Sequence, residues 1–404
     1  MSSESQPEPS VTEGAELLGP DGKVDLDALR AVAQEDDGDG DPAARRVVFT
    51  LSRDLRKRLD KYITDRAPFL SRNQAQRLID EGDVTVNGRG AKPSTTLRQG
   101  DIVALTVPPV GPLRIEPEPV PLDVLYEDRH IIVINKQPGV IVHPARSHTS
   151  GTMINGLAWH FQHTSSEGGG LSGVGEEDAR PGVVHRLDRD TTGVIVFAKD
   201  DEAHWRLGHM FEKRQVDKRY VALVHGVIEP QADVIDLPLG PHPNRAKGFR
   251  EKQVVRHDDF GKASVTLYRT LERYDGFSLL ELELRTGRTH QIRVHLSHLG
   301  WPIVGDDMYG GKILSLCDLA GDGRDARPTD DCADEVIMGR QALHAALLSF
   351  KHPMSQEQLT FTAPIRGDMA RCITLLREQK PGEGPIDVSG ARVDFATLTS
   401  AISS

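Results

Sequence analysis

The chain has 404 residues, 27% of them charged and 38% hydrophobic, and carries a formal net charge of −11. The length fits two or three domains, no apolar run approaches the ~18 residues of a membrane span, and three widely spaced cysteines with no Cys-x-x-Cys indicate neither a zinc site nor a disulfide framework. The acidity is local: residues 1–44 hold 12 acidic and 2 basic groups, which leaves about −1 for the rest and removes the objection to a polyanionic partner.

In chain order, residues 1–45 are rich in Glu, Asp, Ser, Gly and Pro and are expected to form a disordered acidic tail, with at most a short helix over 26–32. Such a segment buries too little apolar surface to offset its ordering entropy. It reads as solubilising, or as an RNA mimic that shields a basic face. Residues 52–108 read as a small α/β module with 11 Lys/Arg against 7 Asp/Glu. Helical spacing runs over 58–63. A second, amphipathic helix over 71–79 is capped by Ser71 and projects Arg72 and Arg77. Strands follow over 83–88, ending in Asn87-Gly88, and over 100–107. A basic helix face beside a small sheet suits an RNA platform, and equally an ordinary charged surface. Prolines from Pro108 to Pro121 make 109–121 a stiff linker.

The body begins near residue 122. A buried-type strand over 130–136 leads to a turn at Pro138-Gly139, and 164–178 reads as a mobile loop. A helix over 200–215, with Asp200 as N-cap, precedes a strand over 218–226. Segments 263–272 and 277–284 alternate as an antiparallel pair around Tyr274-Asp275-Gly276, and a helix over 289–299 stops at Gly300. Residues 313–338, net −5, read as an acidic insert; 342–350 fits a strand or a helix; 371–404 reads as a C-terminal tail. The Gly168-Gly169-Gly170 run precedes no helix start and makes a poor phosphate loop.

Three constellations carry chemistry. His185-Arg186-Leu187-Asp188-Arg189-Asp190-Thr191-Thr192-Gly193 sets Asp188 among guanidinium groups before the apolar run 194–198. A carboxylate so placed has a nucleophile's chemistry and its neighbours can hold a polyanion; the same residues also describe a solvated turn with surface ion pairs. Arg285-Thr286-Gly287-Arg288-Thr289-His290-Gln291-Ile292-Arg293-Val294-His295 follows a strand and opens a helix, where free N–H groups and Arg288 favour an anion. His290, His295 and His298 invite a metal, but only His295 and His298 share a helical face and no carboxylate stands at ligand spacing. Tyr220, within Lys218-Arg219-Tyr220, offers a stacking face and a phenol, or simply fills a core. His143 is a loop histidine of the kind that is more often structural.

Together with Lys136-Gln137-Pro138-Gly139-Val140-Ile141-Val142-His143-Pro144 and Lys218–Leu223, these blocks, in this order, resemble the RluA family of pseudouridine synthases. Gly300–Asp306 and Ala342–Ala345 are similar to it as well, and the likeness covers roughly residues 122–366. Residues 52–108 resemble the S4-like, or alpha-L, RNA-binding domain, and the pairing looks like the ribosomal subgroup of the RluD type. The acidic tail and the 313–338 insert are additions to that pattern.

The resemblance implies an α+β catalytic domain over 122–370, built on a large mixed, mainly antiparallel sheet. It implies isomerisation of specific uridines in large-subunit ribosomal RNA, without cofactor or metal; from the cysteine usage and the lack of a long apolar run, the protein is expected to be cytoplasmic with no membrane partner, and to act as a monomer. Asp188 then matches the essential nucleophile, with attack at the sugar C1′, attack at C6 of the base, and removal of a 2′ proton all open. Tyr220 matches the residue stacked on the flipped uracil, Arg293 the charge partner of the carboxylate, and Arg186 the guanidinium that fills the vacated stack. His143 and Arg288 are expected along the RNA groove. A transfer-RNA target and a non-catalytic RNA-binding or ribosome-assembly factor are the alternatives, and a metal-dependent hydrolase is a more distant one.

Overall fold

A computed structural model describes residues 15–19, 21–25, 28–29, 45–68, 70, 72–107, 115–143, 150–174, 180–244, 251–320 and 335–393. The chain divides into two compact units, Met1–Arg114 and Ile115–Ser404.

In the first unit, strand β1 (Arg45–Thr50), helices α1 (Leu59–Arg66) and α2 (Arg72–Glu81), and strands β2 (Val84–Val86), β3 (Arg89–Gly90) and β4 (Ile102–Val107) make a four-stranded sheet of order β1-β4-β2-β3 with two helices. The sequence reading missed β1, whose Val47 and Phe49 are fully buried. The tail expected to be disordered is corrected in part. Leu17, Val24 and Leu29 are buried in this unit's core, and Val24 N–H donates to the Arg66 carbonyl at 2.7 Å while Arg66 donates to the Gly22 carbonyl at 2.9 Å. A few apolar side chains within an acidic stretch suffice to dock it, which a composition average conceals. The Ser71 cap lies outside the described residues.

The second unit contains strands β5 (Val124–Glu127), β6 (Ile131–Lys136), helix α3 (Met153–His163), β7 (Thr192–Ala198), α4 (Asp201–Glu212), β8 (Asp217–His225), β9 (Ala232–Asp236), β10 (Leu239–Pro241), β11 (Gln253–Val255), β12 (Val265–Tyr274), β13 (Phe277–Leu284), α5 (Gln291–His298), β14 (Leu314–Ser315), α6 (Leu316–Ala320), β15 (Val336–Met338), β16 (Leu343–Lys351), β17 (Gln358–Thr362) and α7 (Gly367–Gln379). A nine-stranded sheet of order β5-β6-β7-β16-β8-β13-β12-β9, with β17 beside β16, spans it. Only the β7–β16 pairing is parallel, so the sheet is mixed and mainly antiparallel, and the fold is α+β. Strands β6 and β7 bury both faces. One face joins Ile132, Ile134, Ile195 and Phe197 to the main core; the other packs Ile131, Val133, Val194 and Val196 against Ala203, Leu207 and Met210 of α4.

Three boundaries differ from the sequence reading. The described end of the proposed linker packs on α3: Asn155 donates to the Glu116 carbonyl at 2.8 Å, and a Cβ on Gly156 would meet Val120 at 2.8 Å. The segment 371–404 is no loose tail where described. Residues 371–379 complete α7, with Cys372, Ile373 and Leu376 fully buried, and the backbone N–H groups of Arg392 and Val393 donate to the buried Glu281 carboxylate at 2.9 and 2.8 Å. The ends of the 313–338 insert are ordered as β14, α6 and β15. Cys317 is disulfide-bonded, where the spacing of the cysteines indicates no disulfide framework. No helix among the described residues is long and apolar enough to cross a membrane.

Candidate active site

The sheet brings the three motif blocks to one place. The Asp188 loop runs into β7, Tyr220 lies on β8, and Arg293 lies on α5, which follows β13. Strand β16 runs between β7 and β8, and Ala345 is paired with both Gly193 and Tyr220. A Cβ on Gly193, whose φ is +109°, would lie 2.2 Å from the Ala345 carbonyl oxygen. Only glycine permits that approach.

The loop carrying Asp188 is tied down by its own backbone. Lys136, 1% exposed, donates to the carbonyls of Gln137 (2.9 Å), Arg189 (2.7 Å) and Thr191 (3.0 Å). Arg340 donates to the Asp190 carbonyl at 2.9 Å and is itself fixed by Asp368 at 2.6 and 2.8 Å. Burial pushes the Lys136 ammonium down to about 7, against the opposing charge of Asp190. His185 accepts from the Val196 N–H at 3.1 Å and stacks on Phe211 with ring centroids 4.5 Å apart. Burial, with Lys218 adding to it, takes His185 to about 3 and keeps it a neutral acceptor.

Asp188 Oδ2 accepts from Arg293 Nη1 at 3.1 Å. The same guanidinium holds Asp306 through Nε at 2.7 Å and Nη2 at 2.8 Å, and lies 4.9 Å from the Tyr309 ring centroid. Burial opposes its charge, but Asp306 first and Asp188 second hold Arg293 above the ordinary arginine range. Asp188 Oδ1 faces His290 Nε2 at 3.8 Å, and His290 Nδ1 is 2.8 Å from the Tyr309 hydroxyl. Burial lowers the His290 pKa. Side chains alternate along β8, so Arg219 turns away to Asp217, Glu281 and Glu283, while Lys218 and Tyr220 line a cavity of about 560 Å³ with Asp188 and His290. Burial, then the charge of Asp188, raises the Tyr220 phenol well above the usual tyrosine range, so it remains a neutral hydroxyl.

The remaining expected site residues fall in different places. Arg186 is exposed, lines the cavity and makes no ion pair among the described residues. Arg288 also lines the cavity. His143 is 5% exposed and is not among the lining side chains; burial, then the charges of Arg180 and Arg186, takes it to about 4. In the first unit Arg72 is not a free projecting cation. It shares the fully buried Asp60 with Arg58, both at 3.0 Å, and with Gln76 at 2.8 Å. Arg77 stands 3.7 Å from Glu81 one turn on. The predicted helix over 289–299 begins at Gln291, because His290 takes a left-handed backbone with φ 56°. His295 spends both ring nitrogens, on Thr266 at 2.9 Å and on the Leu237 carbonyl at 3.0 Å. No cluster able to hold a metal occurs among the described residues.

The sequence model of the family described as RNA pseudouridylate synthase matches residues 130–298, and that of the S4 domain matches 57–103. The first defines an RNA-modifying enzyme. The chain is 39% identical over 322 residues to the Uncharacterized RNA pseudouridine synthase YlyB of Bacillus subtilis (strain 168), covering 80% of this chain and 95% of that protein. It is 39% identical over 323 residues to the Ribosomal large subunit pseudouridine synthase D of Xanthomonas campestris pv. campestris, covering 80% and 89%. A solved human structure, RNA Pseudouridylate Synthase Domain Containing 4, aligns at 27% identity with a TM-score of 0.47, over 63% of this chain and 93% of that one. The chain belongs to the RNA pseudouridine synthase family, with an S4 RNA-binding domain ahead of the catalytic unit.

Proposed function

We propose that this enzyme isomerises specific uridines of large-subunit ribosomal RNA, with Asp188 as the nucleophile and base flipping as the means of access. The observation that carries the reading is Asp188, held by the buried Arg293 at 3.1 Å, on the wall of a cavity that Tyr220 also lines. In the reaction the bond from C1′ to N1 of uracil breaks, a bond from C1′ to C5 forms, C5 gives up its proton and N1 takes one up, so no atom is gained or lost overall. A nucleophile here must be an ionised carboxylate within reach of the nucleoside, and Asp188 lines the cavity with Oδ2 held by Arg293 and Oδ1 3.8 Å from His290 Nε2. A stacked uridine must first leave its helix, at a cost of a few kcal/mol. Tyr220, on the cavity wall, would offer the extruded base a stacking face and a phenol for proton transfer at C5. Arg186, exposed and unpaired at the rim, is free to fill the gap in the stack. An RNA substrate is supported by the S4 domain, and the choice of ribosomal RNA by the name of the Xanthomonas relative.

The test is single-turnover isomerisation of a large-subunit ribosomal RNA transcript by the wild type and by Asp188→Asn. The variant is expected to bind the transcript as the wild type does and to form no pseudouridine. Retained product would overturn the assignment of Asp188, product only on transfer RNA would overturn the target, and no product even with wild type on either RNA would favour a binding factor.

A further inference from the structure

Lys218 has no part in the chemistry above, yet it stands in the same cavity as Tyr220 and Asp188. It is two residues from Tyr220 on one face of β8, roughly 7 Å along the strand. Its Nζ lies 5.7 Å from the Phe211 ring centroid, and a Cβ on Gly287 would stand 3.6 Å from it. An aromatic face and a glycine wall thus fix the ammonium, while no carboxylate or carbonyl among the described residues holds it. The neighbouring acids Asp217 and Glu283 are committed to Arg219 on the opposite face. Burial alone lowers the Lys218 pKa, with no acid pulling the other way. The cavity is also unbalanced in charge. Arg186, Arg214, Lys218, Arg285 and Arg288 line it against Asp188 and Glu212, although Arg285 is partly committed to Glu283 at 2.6 Å.

A desolvated cation without a counterion is unfavourable unless a ligand brings the missing negative charge. Resting on the reading that a flipped uridine stacks on Tyr220, we infer that Lys218 binds a phosphodiester next to that uridine, so that β8 holds the base through one side chain and its backbone through the next on the same face. Two residues of strand is about the distance from a nucleobase to its own phosphate. A compact ammonium suits a phosphate oxygen as a point charge, where a planar guanidinium would demand a two-pronged fit. The uracil carbonyls are the weaker candidates, because the cationic excess calls for a full charge.

The experiment combines Lys218→Gln and Lys218→Arg with transcripts in which a single neutral methylphosphonate replaces the phosphate 5′ or 3′ to the modified uridine. Thermal unfolding of each variant verifies the fold. For wild type, one of the two neutral linkages is expected to lower kcat/KM by roughly tenfold to a hundredfold. Lys218→Gln is expected to cause a similar loss on the native transcript and no further loss on that same neutral linkage. Its binding should also lose about 0.7 to 0.9 from the slope of log affinity against log salt. Lys218→Arg should recover part of the rate on native RNA and none on the neutral linkage. The position of the responsive linkage identifies which phosphate is bound. Independent, multiplicative losses at both linkages, or an unchanged salt slope, would overturn the phosphate site. Failure of the wild type to modify the transcript would count against the functional reading and this inference together, whereas wild-type turnover with Lys218→Gln behaving as wild type overturns this inference alone.

Discussion

At the scale of single residues, Arg293 does two jobs with one guanidinium. Two of its nitrogens hold the buried Asp306 and a third reaches Asp188, a division of labour that a planar fork allows and a lysine does not. Arg293→Lys is therefore expected to lower the single-turnover rate by at least about a hundredfold while transcript binding stays close to wild type. Arg293→Met should do more harm to the fold, since it strands the Asp306 charge in the interior, at a cost of about 3–5 kcal/mol. Comparing the two variants by urea unfolding separates the role of the Asp188 hydrogen bond from that of the core pair. A Lys variant with wild-type rate would show that Asp188 needs no guanidinium. Asp188, Tyr220 and Arg293 were legible in the sequence because each sits inside a motif. His290 lies in one of those motifs, but its meeting with Tyr309 was not legible, since it comes from a left-handed turn and a short helical turn that set the imidazole 2.8 Å from the Tyr309 hydroxyl and 3.8 Å from Asp188.

At the scale of elements, the Asp188 loop owes its place to β6 and β16. Lys136 at the end of β6 satisfies three carbonyls from beneath, and Ala345 of β16 packs against Gly193. The buried strands, the β12–β13 hairpin and the Asp200-capped helix could be read from periodicity and turn residues. The partner order of β16 could not, because nothing local in 342–350 says that it inserts between β7 and β8. Lys136 gives this arrangement a pH signature. Its folded pKa is about 7, against an ordinary lysine near 10.4 when unfolded. Between those values the unfolded chain binds more protons than the folded one, so the Lys136 contribution to stability rises with pH across that window and is smallest below about 7. Denaturant unfolding of wild type and Lys136→Met should show the variant less stable throughout, because even a neutral amine leaves two of the three carbonyls with a donor that methionine lacks, with the gap widening from pH 6.5 to pH 9.5. A gap that stays constant or narrows would place the proton on Lys136 in the folded protein across the whole range.

At the scale of the whole molecule, the acidic stretch and the chemistry reside in different units. Composition located the acidity in the first 44 residues, but not that Leu17, Val24 and Leu29 anchor part of it to the core of the basic S4 unit. Within that unit Asp60 draws Arg58 and Arg72 onto one buried carboxylate, and these two cations are thereby pre-arranged at little further entropic cost on binding. Because Ile115–Ser404 is compact by itself and carries all of Asp188, Tyr220 and Arg293, a chain starting at residue 115 is expected to keep its own cooperative melting transition. It is also expected to retain the chemical step on saturating transcript. Its affinity should fall, and its log affinity should depend less steeply on log salt, by about 0.7 to 0.9 for each phosphate that the shortened chain leaves unneutralised. Filter binding of the ribosomal transcript between 50 and 200 mM salt reads the slope. A weaker affinity with the same slope would mean that the first unit grips RNA through uncharged groups, and an unchanged affinity at every salt concentration would move RNA capture entirely onto the cationic cavity beside Asp188.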